Sequence, residues 1–278
     1  MPEIRIVICN PREEDLSSMT FEKSDTLNVL QKSPPNCEAV PQNLQSELTQ
    51  EDAFYIRNHF PSPKIDVSIW KLDLILDGFE KKAFSYEDLL SMPQKTVVVT
   101  LECAGNGRKN FGTKVEGETE WGDFAVSTAE WRGVSVADLL KASDFTDNEL
   151  SQVKELIFIG ADGNTDESFP LENKSKYVRS LPILKAMDSD TIVALEMNGR
   201  TLPVDHGFPA RVVVPGWYAM ASVKWLKKIS LSTSASEFQG YFNWTKYVYV
   251  TEENGSSNGS LSAYFVRLYM FPIINILS

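Results

Sequence analysis

The stretch from Thr96 to Arg108, TVVVTLECAGNGR, constrains this chain more than any other. Its first half is rich in β-branched residues, which predicts a buried strand. Its second half places Gly105 and Gly107 in a tight loop, where the backbone can approach a ligand closely. Cys103 stands where the strand gives way to the loop. A soft sulfur ligand, exposed backbone N–H groups and the positive charge of Arg108 suit a metal that carries an anionic ligand.

Two other roles for Cys103 compete with metal binding. A lone cysteine is most often a small buried residue, which here would simply end a strand. A cysteine nucleophile, with His206 as its base, would make the protein a hydrolase. The phosphatase loop matches poorly, because the spacing from Cys103 to Arg108 is one residue shorter than that loop needs.

The composition limits the class of protein. With 278 residues, 42% of them hydrophobic, the chain can bury one large core or two smaller ones. A formal net charge of −11 argues against nucleic acid as a partner, so an anion must be captured by a local basic pocket. Three widely spaced cysteines favour a reducing compartment over a disulfide framework. The N-terminus has no secretory apolar run and we find no membrane span, so we expect a cytoplasmic protein.

The chain divides into three parts by composition. Residues 1–43 are polar and contain Pro34-Pro35, which predicts an extended arm over the surface. Residues 44–250 carry the ordered domain. Residues 251–278 begin as a flexible linker and end in an apolar run, which predicts a poorly packed tail from about Glu253 onward. This tail is too short to build a second core.

Strands and short helices alternate in the ordered part without regular βαβ units, which predicts an α+β fold with a mixed, irregular sheet. Turn signals stand at Asp77-Gly78 and Asn198-Gly199. The segments predicted as strands are Trp70–Leu76, Leu156–Gly160, Ile192–Met197, Arg211–Val214 and Val223–Ile229. Helices are predicted after Ser85 and over Ser135–Ala142, whereas residues 109–130 are predicted to be a loop and KYVRSL, residues 176–181, an exposed stretch.

Basic side chains cluster in two stretches, FYIRNHFPSP and LPVDHGFPARVVVPGWY. In the first, Arg57 and His59 are two residues apart, so on an extended chain both point to the same face. In the second, His206 and Arg211 bracket a loop before a strand, and Lys224 follows. Taken singly, each of these residues is more often structural or solvated than functional.

Taken together, four stretches resemble the sulfite oxidase family of molybdenum–pterin oxidoreductases. They are FYIRNHFPSP, TLECAGNGR, EMNGRTLPVDHGFPARVVVPGWY and VKWLKKI, in the order of that family, and the resemblance covers about Leu48 to Ser230. It implies an irregular α+β domain that binds molybdenum through molybdopterin. It also implies a following immunoglobulin-like dimerisation domain, which we expect to be missing or truncated here, together with the usual homodimer contact.

The resemblance also implies roles for single residues. Cys103 would ligate the metal. Arg57 and Arg108 would bind the substrate anion, and Tyr247 would lie near the metal, with Tyr241 and Tyr249 as competing candidates. The residues implied in cofactor binding are Tyr55, Arg57, Asn58, His59, Cys103, Asp162, His206, Arg211, Ser222, Val223 and Lys224.

The implied activity is the oxidation of sulfite to sulfate, with electrons passed to an external acceptor such as a cytochrome. Two alternatives stay open: reduction of an oxyanion such as nitrate, as in plant nitrate reductases, and a non-catalytic molybdopterin-binding protein that lacks its C-terminal domain.

Overall fold

The computed structural model describes residues 26–251 and 264–267, apart from 113, 115–117, 165–169 and 172. The strands in these ranges are β1 (Leu27–Gln31), β2 (Asn36–Ala39), β3 (Ile56–Arg57), β4 (Lys71–Leu76), β5 (Phe79–Ser85), β6 (Lys95–Glu102), β7 (Val126–Ser135), β8 (Glu155–Gly163), β9 (Lys176–Pro182), β10 (Ile192–Met197), β11 (Arg200–Thr201), β12 (Arg211–Val213), β13 (Leu226–Ser232), β14 (Val248–Thr251) and β15 (Tyr264–Arg267). The α-helices are α1 (Tyr86–Ser91), α2 (Val136–Lys141), α3 (Asp147–Gln152) and α4 (Ile183–Ala186). Single turns of 3-10 helix lie at Pro41–Leu44, Arg108–Phe111, Val204–His206 and Ala219–Ala221, and a π-helix at Tyr241–Thr245.

The strands form two larger sheets and two smaller ones. One larger sheet has the order β11-β10-β7-β6, with β12 also paired to β10. The other has the order β5-β4-β13-β8-β9, in which β4 and β13 run parallel and the remaining pairs antiparallel. The smaller sheets are β1-β2-β3 and β14-β15. Mixed sheets with a few short helices confirm the predicted α+β class.

Local signals explain several boundaries. Asp77 and Asn198 adopt positive φ angles of 46° and 50°, each followed by a glycine of positive φ, as two-residue hairpin turns require. Ser85 caps α1, because its side chain accepts from the Asp88 N–H while the Asp88 side chain accepts from the Ser85 N–H. These turns and this cap confirm the corresponding predictions.

Two clusters of buried side chains hold the sheets together. The larger joins β4, β8 and β13 to the helices through residues such as Leu74, Leu139 and Phe158. The second lies on β6, β7 and β10 around Trp131, and it includes Cys103. Burying a large apolar side chain contributes roughly 1.5–3 kcal/mol, so these clusters fix the frame in which the loops between them are placed.

The strand β6 differs from the prediction of a buried strand. It pairs with β7 along its length and has no other partner among the described strands, so it is an edge strand, and its burial alternates from residue to residue. Val98 is 62% exposed, whereas Leu101 is 1% exposed. The β-branched run therefore reflects strand propensity, and the alternation of burial decides which side chains reach the core.

Four other expectations need correction. Residues 27–39 pair as the β1–β2 hairpin and do not run as an extended arm, with all of β2 buried. Residues 176–181 belong to β9, which is mostly buried. The predicted loop ends early, because β7 begins at Val126. Lys224 precedes β13 and does not lie within it. For β7 and β9 the pairing with another strand, which local sequence does not reveal, determines the structure, whereas β1 and β2 pair with each other in a local hairpin.

Two further findings concern the ends of the chain and its helices. The predicted tail from about Glu253 falls outside the described residues, except that β15 pairs antiparallel with β14. In the described ranges, no helix combines the length and apolar composition that crossing a bilayer requires.

Candidate functional site

A cleft of about 650 Å³, partly open to solvent, lies where the loops between the sheets converge. Most of the residues singled out from the sequence line it. These are Tyr55, Arg57, Asn58, His59, Cys103, Asp162, His206, Arg211, Ser222, Lys224 and Tyr247. Val223 and Arg108 are not among its lining residues: Val223 is fully buried, and Arg108 lies beside the Cys103 loop.

Cys103 is placed by the end of β6. Its N–H donates to the Ala125 carbonyl at 2.9 Å, which continues the β6–β7 ladder for one residue. Its Sγ accepts from the Gly105 N–H at 3.4 Å, and the side chain is 6% exposed. Burial raises the pKa of the thiol, while the positive charges of Arg57 and Arg108 and the Gly105 N–H act in the opposite direction. A bound metal ion would complete the stabilisation of the thiolate.

The glycines after Cys103 are needed for space and for backbone conformation. A Cβ on Gly105 would lie 2.7 Å from Nη2 of Arg108 and 3.0 Å from Cδ1 of Trp121. Gly107 adopts a φ of 76°, which glycine tolerates without strain. The Asn106 side chain accepts from the Ala125 N–H at 3.0 Å and so fastens the loop to the start of β7. The loop thereby brings the Arg108 guanidinium over the backbone next to Cys103.

Arg57, His59 and Tyr247 form a connected group on one wall. Nη2 of Arg57 lies 3.0 Å from Nδ1 of His59, and Nε2 of His59 lies 2.6 Å from the Tyr247 hydroxyl. Burial, followed by the charges of Arg57, Lys246 and Lys224, lowers the pKa of His59 to about 2, so its imidazole is neutral. Nη2 of Arg57 also lies 3.1 Å from Nε2 of His59, so the guanidinium, which only donates, faces both ring nitrogens, and the direction of the His59–Tyr247 hydrogen bond follows from the tautomer of the ring.

Tyr247 keeps its proton at neutral pH. Burial raises its pKa, and the nearby Arg57 charge only partly offsets this effect. Its hydroxyl can therefore donate a hydrogen bond to an anion in the cleft. Of the competing candidates, Tyr241 is partly exposed and packs on Phe242, and the side chain of Tyr249 lies outside the described part of the chain.

A second group of polar side chains lines the other wall. Arg211 donates from Nη1 to the His206 carbonyl at 2.9 Å and from Nη2 to the Ser222 carbonyl at 3.1 Å. Its guanidinium also lies over the Trp131 ring at 4.8 Å. Lys224 donates to the Asp205 carbonyl at 2.7 Å and to the Asn58 side chain.

Burial changes the protonation of this second group. It lowers the pKa of Lys224 to about 7, with Arg211 adding to the effect, and lowers the pKa of Arg211 to about 10. It raises the pKa of Asp162 to about 7. It also lowers the pKa of His206 to about 3, so the neutral ring bonds the Glu51 carbonyl through Nε2 at 2.8 Å. An anion bound here would restore the cationic forms.

Two buried polar atoms on this wall have no hydrogen-bond partner among the residues that the structure describes: Oδ1 of Asp162 and Nε of Arg211. Buried polar groups are nearly always hydrogen-bonded, so their position in a cleft indicates a ligand with both a donor and an acceptor. A pterin has ring N–H donors and ring acceptors, and its phosphate suits the cations nearby. The residues present therefore fit a molybdopterin.

Several residues around the cleft were missed from the sequence. Tyr177 lines it and stacks on His59, with ring centroids 5.4 Å apart. Asn36 accepts from Arg57, and Glu118 bridges Arg108 and Lys246. Their segments carry no motif, and their partners are far along the chain. The only sequence signal for these residues is that they are polar side chains in segments for which no function was predicted.

Comparison with known proteins agrees with this geometry. Residues 59–242 match the model of the oxidoreductase molybdopterin-binding domain. Mitochondrial sulfite oxidase of Rattus norvegicus is 34% identical over 265 residues, which is 90% of this chain and 46% of that protein. The NADH nitrate reductase of Cichorium intybus is 31% identical, over 92% of this chain and 28% of that protein.

One solved structure shows the same fold. The sulfane dehydrogenase SoxCD of Paracoccus pantotrophus superposes with a TM-score of 0.66 at 24% identity, covering 96% of this chain and 62% of that one. The chain spans about half the length, or less, of the curated relatives it matches.

Proposed function

Given that this chain belongs to the family of oxidoreductase molybdopterin-binding domains, we propose that it oxidises sulfite to sulfate and passes the electrons to an external acceptor of the cytochrome type. Its class is that of the molybdopterin oxidoreductases, and its cofactor is molybdenum–molybdopterin. Residues 44–250 form the proposed domain, and the matched range 59–242 lies within it.

The chain has side chains that could bind each part of the cofactor: the metal, the phosphate and the pterin. The cofactor supplies two-electron redox chemistry at its metal when bound. Cys103 would give the single protein ligand, because its thiol is buried in the cleft beside two cationic residues. Arg211 and Lys224 would bind the phosphate, and Asp162 would accept from the pterin through its unpartnered Oδ1. Tyr55, Asn58, His206, Ser222 and Val223 complete the proposed binding set.

One observation carries the proposed activity: positive charge and a hydroxyl donor converge on the side of the cleft that holds Cys103. Arg57 and Arg108 both act on the Cys103 thiol, and the Arg57–His59–Tyr247 group lines the same wall. The chain is strongly acidic overall, so this local concentration of cations is the feature that would draw in an anion. Sulfite is a small dianion at alkaline pH and fits such a site.

The residues then have separate tasks. Arg57 and Arg108 would bind the sulfite oxygens by charge-assisted hydrogen bonds. Tyr247, protonated at neutral pH, would donate a further hydrogen bond and orient the anion. His59 is neutral, so it would hold the Arg57 and Tyr247 side chains in place without adding a charge to the site. Conversion of sulfite and one water to sulfate releases two protons and two electrons, and the electrons leave to the external acceptor.

Reduction of an oxyanion such as nitrate is the second candidate, because the nitrate reductase of Cichorium intybus also aligns with this chain over 92% of its length. It uses the same oxyanion site in the opposite redox direction. The hydrolase alternative does not fit the family or the geometry: Nε2 of His206 bonds the Glu51 carbonyl, and the ring packs against Phe54.

Anaerobic titration of the purified protein with sulfite, followed by molybdenum electron paramagnetic resonance, tests the proposal. Sulfite should reduce the metal, and the reduced protein should then reduce ferricyanide or a cytochrome. Reoxidation by nitrate, without reduction by sulfite, would favour the second candidate. A loaded protein inert to both would be a molybdopterin-binding protein without this catalysis.

A further inference from the structure

We infer that the β1–β2 hairpin is a positioning element of the oxyanion site, in which Asn36 and Gln31 set the placement of the Arg57 and Arg108 guanidinium groups. The inference rests on the proposed function, since it assigns these arginines to the substrate anion. It gives a task to a segment that its composition marked only as a polar arm.

Asn36 holds Arg57 with a fixed acceptor. Its Oδ1 accepts from Nη1 of Arg57 at 3.2 Å and from the Asn58 N–H at 3.0 Å. Its Nδ2 donates to Oε1 of Gln31 and to the Pro34 carbonyl, both at 3.2 Å. The side-chain amide is 1% exposed and uses all of its hydrogen-bonding capacity, so it has one orientation.

Gln31 extends this network to the second arginine. Its Oε1 also accepts from Oγ1 of Thr119 at 3.4 Å, and the Thr119 carbonyl accepts from Nη1 of Arg108 at 2.8 Å. Its Nε2 donates to the Ser33 carbonyl at 2.9 Å, which fixes the amide at the turn of the hairpin. Hydrogen bonds, linked through the side chain and backbone of Thr119, therefore join the two guanidinium groups through the hairpin. The Cys103 loop contacts Arg108 at Gly105.

The chemistry of these acceptors suits an anion site. A neutral amide orients a guanidinium without neutralising it, so the full positive charge stays available to a ligand. A carboxylate in the place of Asn36 would form an ion pair with Arg57 and compete with the substrate. Simple support of the hairpin would not require the acceptor oxygen to face Arg57, because Pro34 and Gln31 already hold the amide through Nδ2.

The test compares Asn36→Asp and Gln31→Ala with Asn28→Ala in the purified, molybdenum-loaded protein. Asn28 lies on the same hairpin, is exposed, and contacts Glu38 outside the network. Calorimetry measures the dissociation constant of sulfate, which binds without turnover, and steady-state kinetics gives kcat and KM for sulfite. Molybdenum content and melting temperature show whether each variant is loaded and folded.

We expect Asn36→Asp and Gln31→Ala each to weaken sulfate binding about five- to tenfold and to raise KM with kcat largely kept, since each alters one or two hydrogen bonds that orient a charged group. Asn28→Ala should bind as the wild type does. In an Arg57→Ala background, the neutral substitution Asn36→Ala should cost less than about twofold more, because its effect acts through Arg57.

If Gln31→Ala and Asn36→Asp were folded and loaded and still bound sulfate with wild-type affinity, the inference would be overturned. It would also be overturned if substitution of Asn36 in the Arg57→Ala background lowered sulfate affinity as much as it does in the wild type. A wild type without measurable sulfate binding would overturn it too. A wild type that binds sulfate through this network but does not oxidise sulfite would instead remove the proposed activity and leave the positioning role in place.

Discussion

The two walls of the cleft hold their cations in different ways. On one, the anchor group (Asp162, His206, Arg211 and Lys224) is strongly desolvated, and burial, with the charge of Arg211 adding to it, lowers the pKa of Lys224 to about 7. The oxyanion group comprises Arg57 and Tyr247 on the other wall and Arg108 beside the Cys103 loop, and it is tied to other side chains, as in the Arg108–Glu118 ion pair at 3.3 Å.

This difference has an energetic consequence. Buried cations and an unpartnered carboxylate oxygen are costly without a ligand, so a ligand that binds the anchor group stabilises the fold by mass action. The oxyanion group already has partners, so it can exchange a small anion without such a cost. We therefore expect changes in the anchor group to alter cofactor loading, and changes in the oxyanion group to alter KM.

The largest effect should come from Cys103, which lines the same cleft. Cys103→Ser replaces a soft thiolate by a hydroxyl, which is a poor ligand for the metal, so turnover should become undetectable. The fold should persist, because the side chain makes one backbone hydrogen bond. Turnover assays with circular dichroism and metal analysis check this. Wild-type activity in Cys103→Ser would remove the thiolate ligand from the proposal.

The next largest effect should be a loss of loading in the anchor group. Arg211→Ala removes two bonds to carbonyls and the stacking on Trp131, and it removes the buried cation proposed to bind the cofactor phosphate. Molybdenum content and activity should fall together, so that activity per molybdenum stays near that of the wild type. Lys224→Ala and His206→Ala should behave similarly. Full loading with lost turnover would place these residues in the chemistry instead.

A pH-dependent effect of up to a few kcal/mol should distinguish the anchor group in molybdenum-free protein. The folded-state pKa of Asp162 is raised to about 7 from its ordinary 3.8, so its contribution is fully present below about pH 4 and is lost as pH rises through 7. The pKa of Lys224 is lowered from 10.5 to about 7, so its contribution is present above 10.5 and lost as pH falls through 7.

Thermal melts of wild type and Asp162→Asn at pH 5 and pH 7 isolate the carboxyl. The wild type should lose more stability than the variant between these values, because only the wild type must ionise a buried carboxyl group. Titrating groups that do not interact with Asp162 cancel in the difference, whereas Lys224, whose pKa the Asp162 charge raises, contributes to it. Parallel curves for the two proteins would mean that Asp162 is solvated in the folded state.

Substitutions in the oxyanion group should have a smaller effect, and they should alter substrate binding without altering cofactor loading. Arg57→Ala and Arg108→Ala each remove a charge-assisted contact worth about 1.5–3 kcal/mol, which corresponds to roughly a 10- to 150-fold loss in kcat/KM for sulfite. The loss should lie mainly in KM, with molybdenum content unchanged. The matched control is Arg132→Ala, whose guanidinium pairs with Glu196 outside the cleft. Unchanged kinetics in both variants would remove sulfite as the leading substrate.

The sequence predicted those parts of the fold and site that short-range chemistry decides. The Asn198-Gly199 turn, the Ser85 cap and the strand Ile192–Met197 agree with the structure, because each depends on neighbouring residues. The edge position of β6 did not follow, since its pairing with a separate strand determines it. The β1–β2 hairpin is local, but it lies in a polar stretch with two prolines, whose composition predicted an extended arm.

The same limit applies to the site. Cys103 and its glycine loop carry a local signal, and the resemblance to a family placed the residues of both walls in one site. Asn36 and Glu118 carried none: Asn36 meets Arg57 across 21 residues, and Glu118 meets Lys246 across 128. Such contacts exist only once the sheets have formed, and neither the composition of these segments nor the spacing of their residues predicts them.

The smallest effect, and the sharpest local test, concerns Gly105. A Cβ there would lie 2.7 Å from Nη2 of Arg108, the end of a flexible side chain, and 3.0 Å from Cδ1 of Trp121, which is 1% exposed and cannot give way easily. Gly105→Ala should therefore displace the Arg108 guanidinium and raise KM for sulfite about three- to fivefold, as expected for the loss of one modest hydrogen bond.

Gly78→Ala is the control for this substitution. Gly78 has a φ of 89° with nothing within 4 Å of a Cβ, so alanine there should cost about 1 kcal/mol of stability through backbone strain and leave KM unchanged. Kinetics and melting curves of both variants separate the two effects. If Gly105→Ala lowered stability as Gly78→Ala does but kept the wild-type KM, the position of Arg108 would not depend on the glycine, and the close approach seen here would serve only the packing of Trp121.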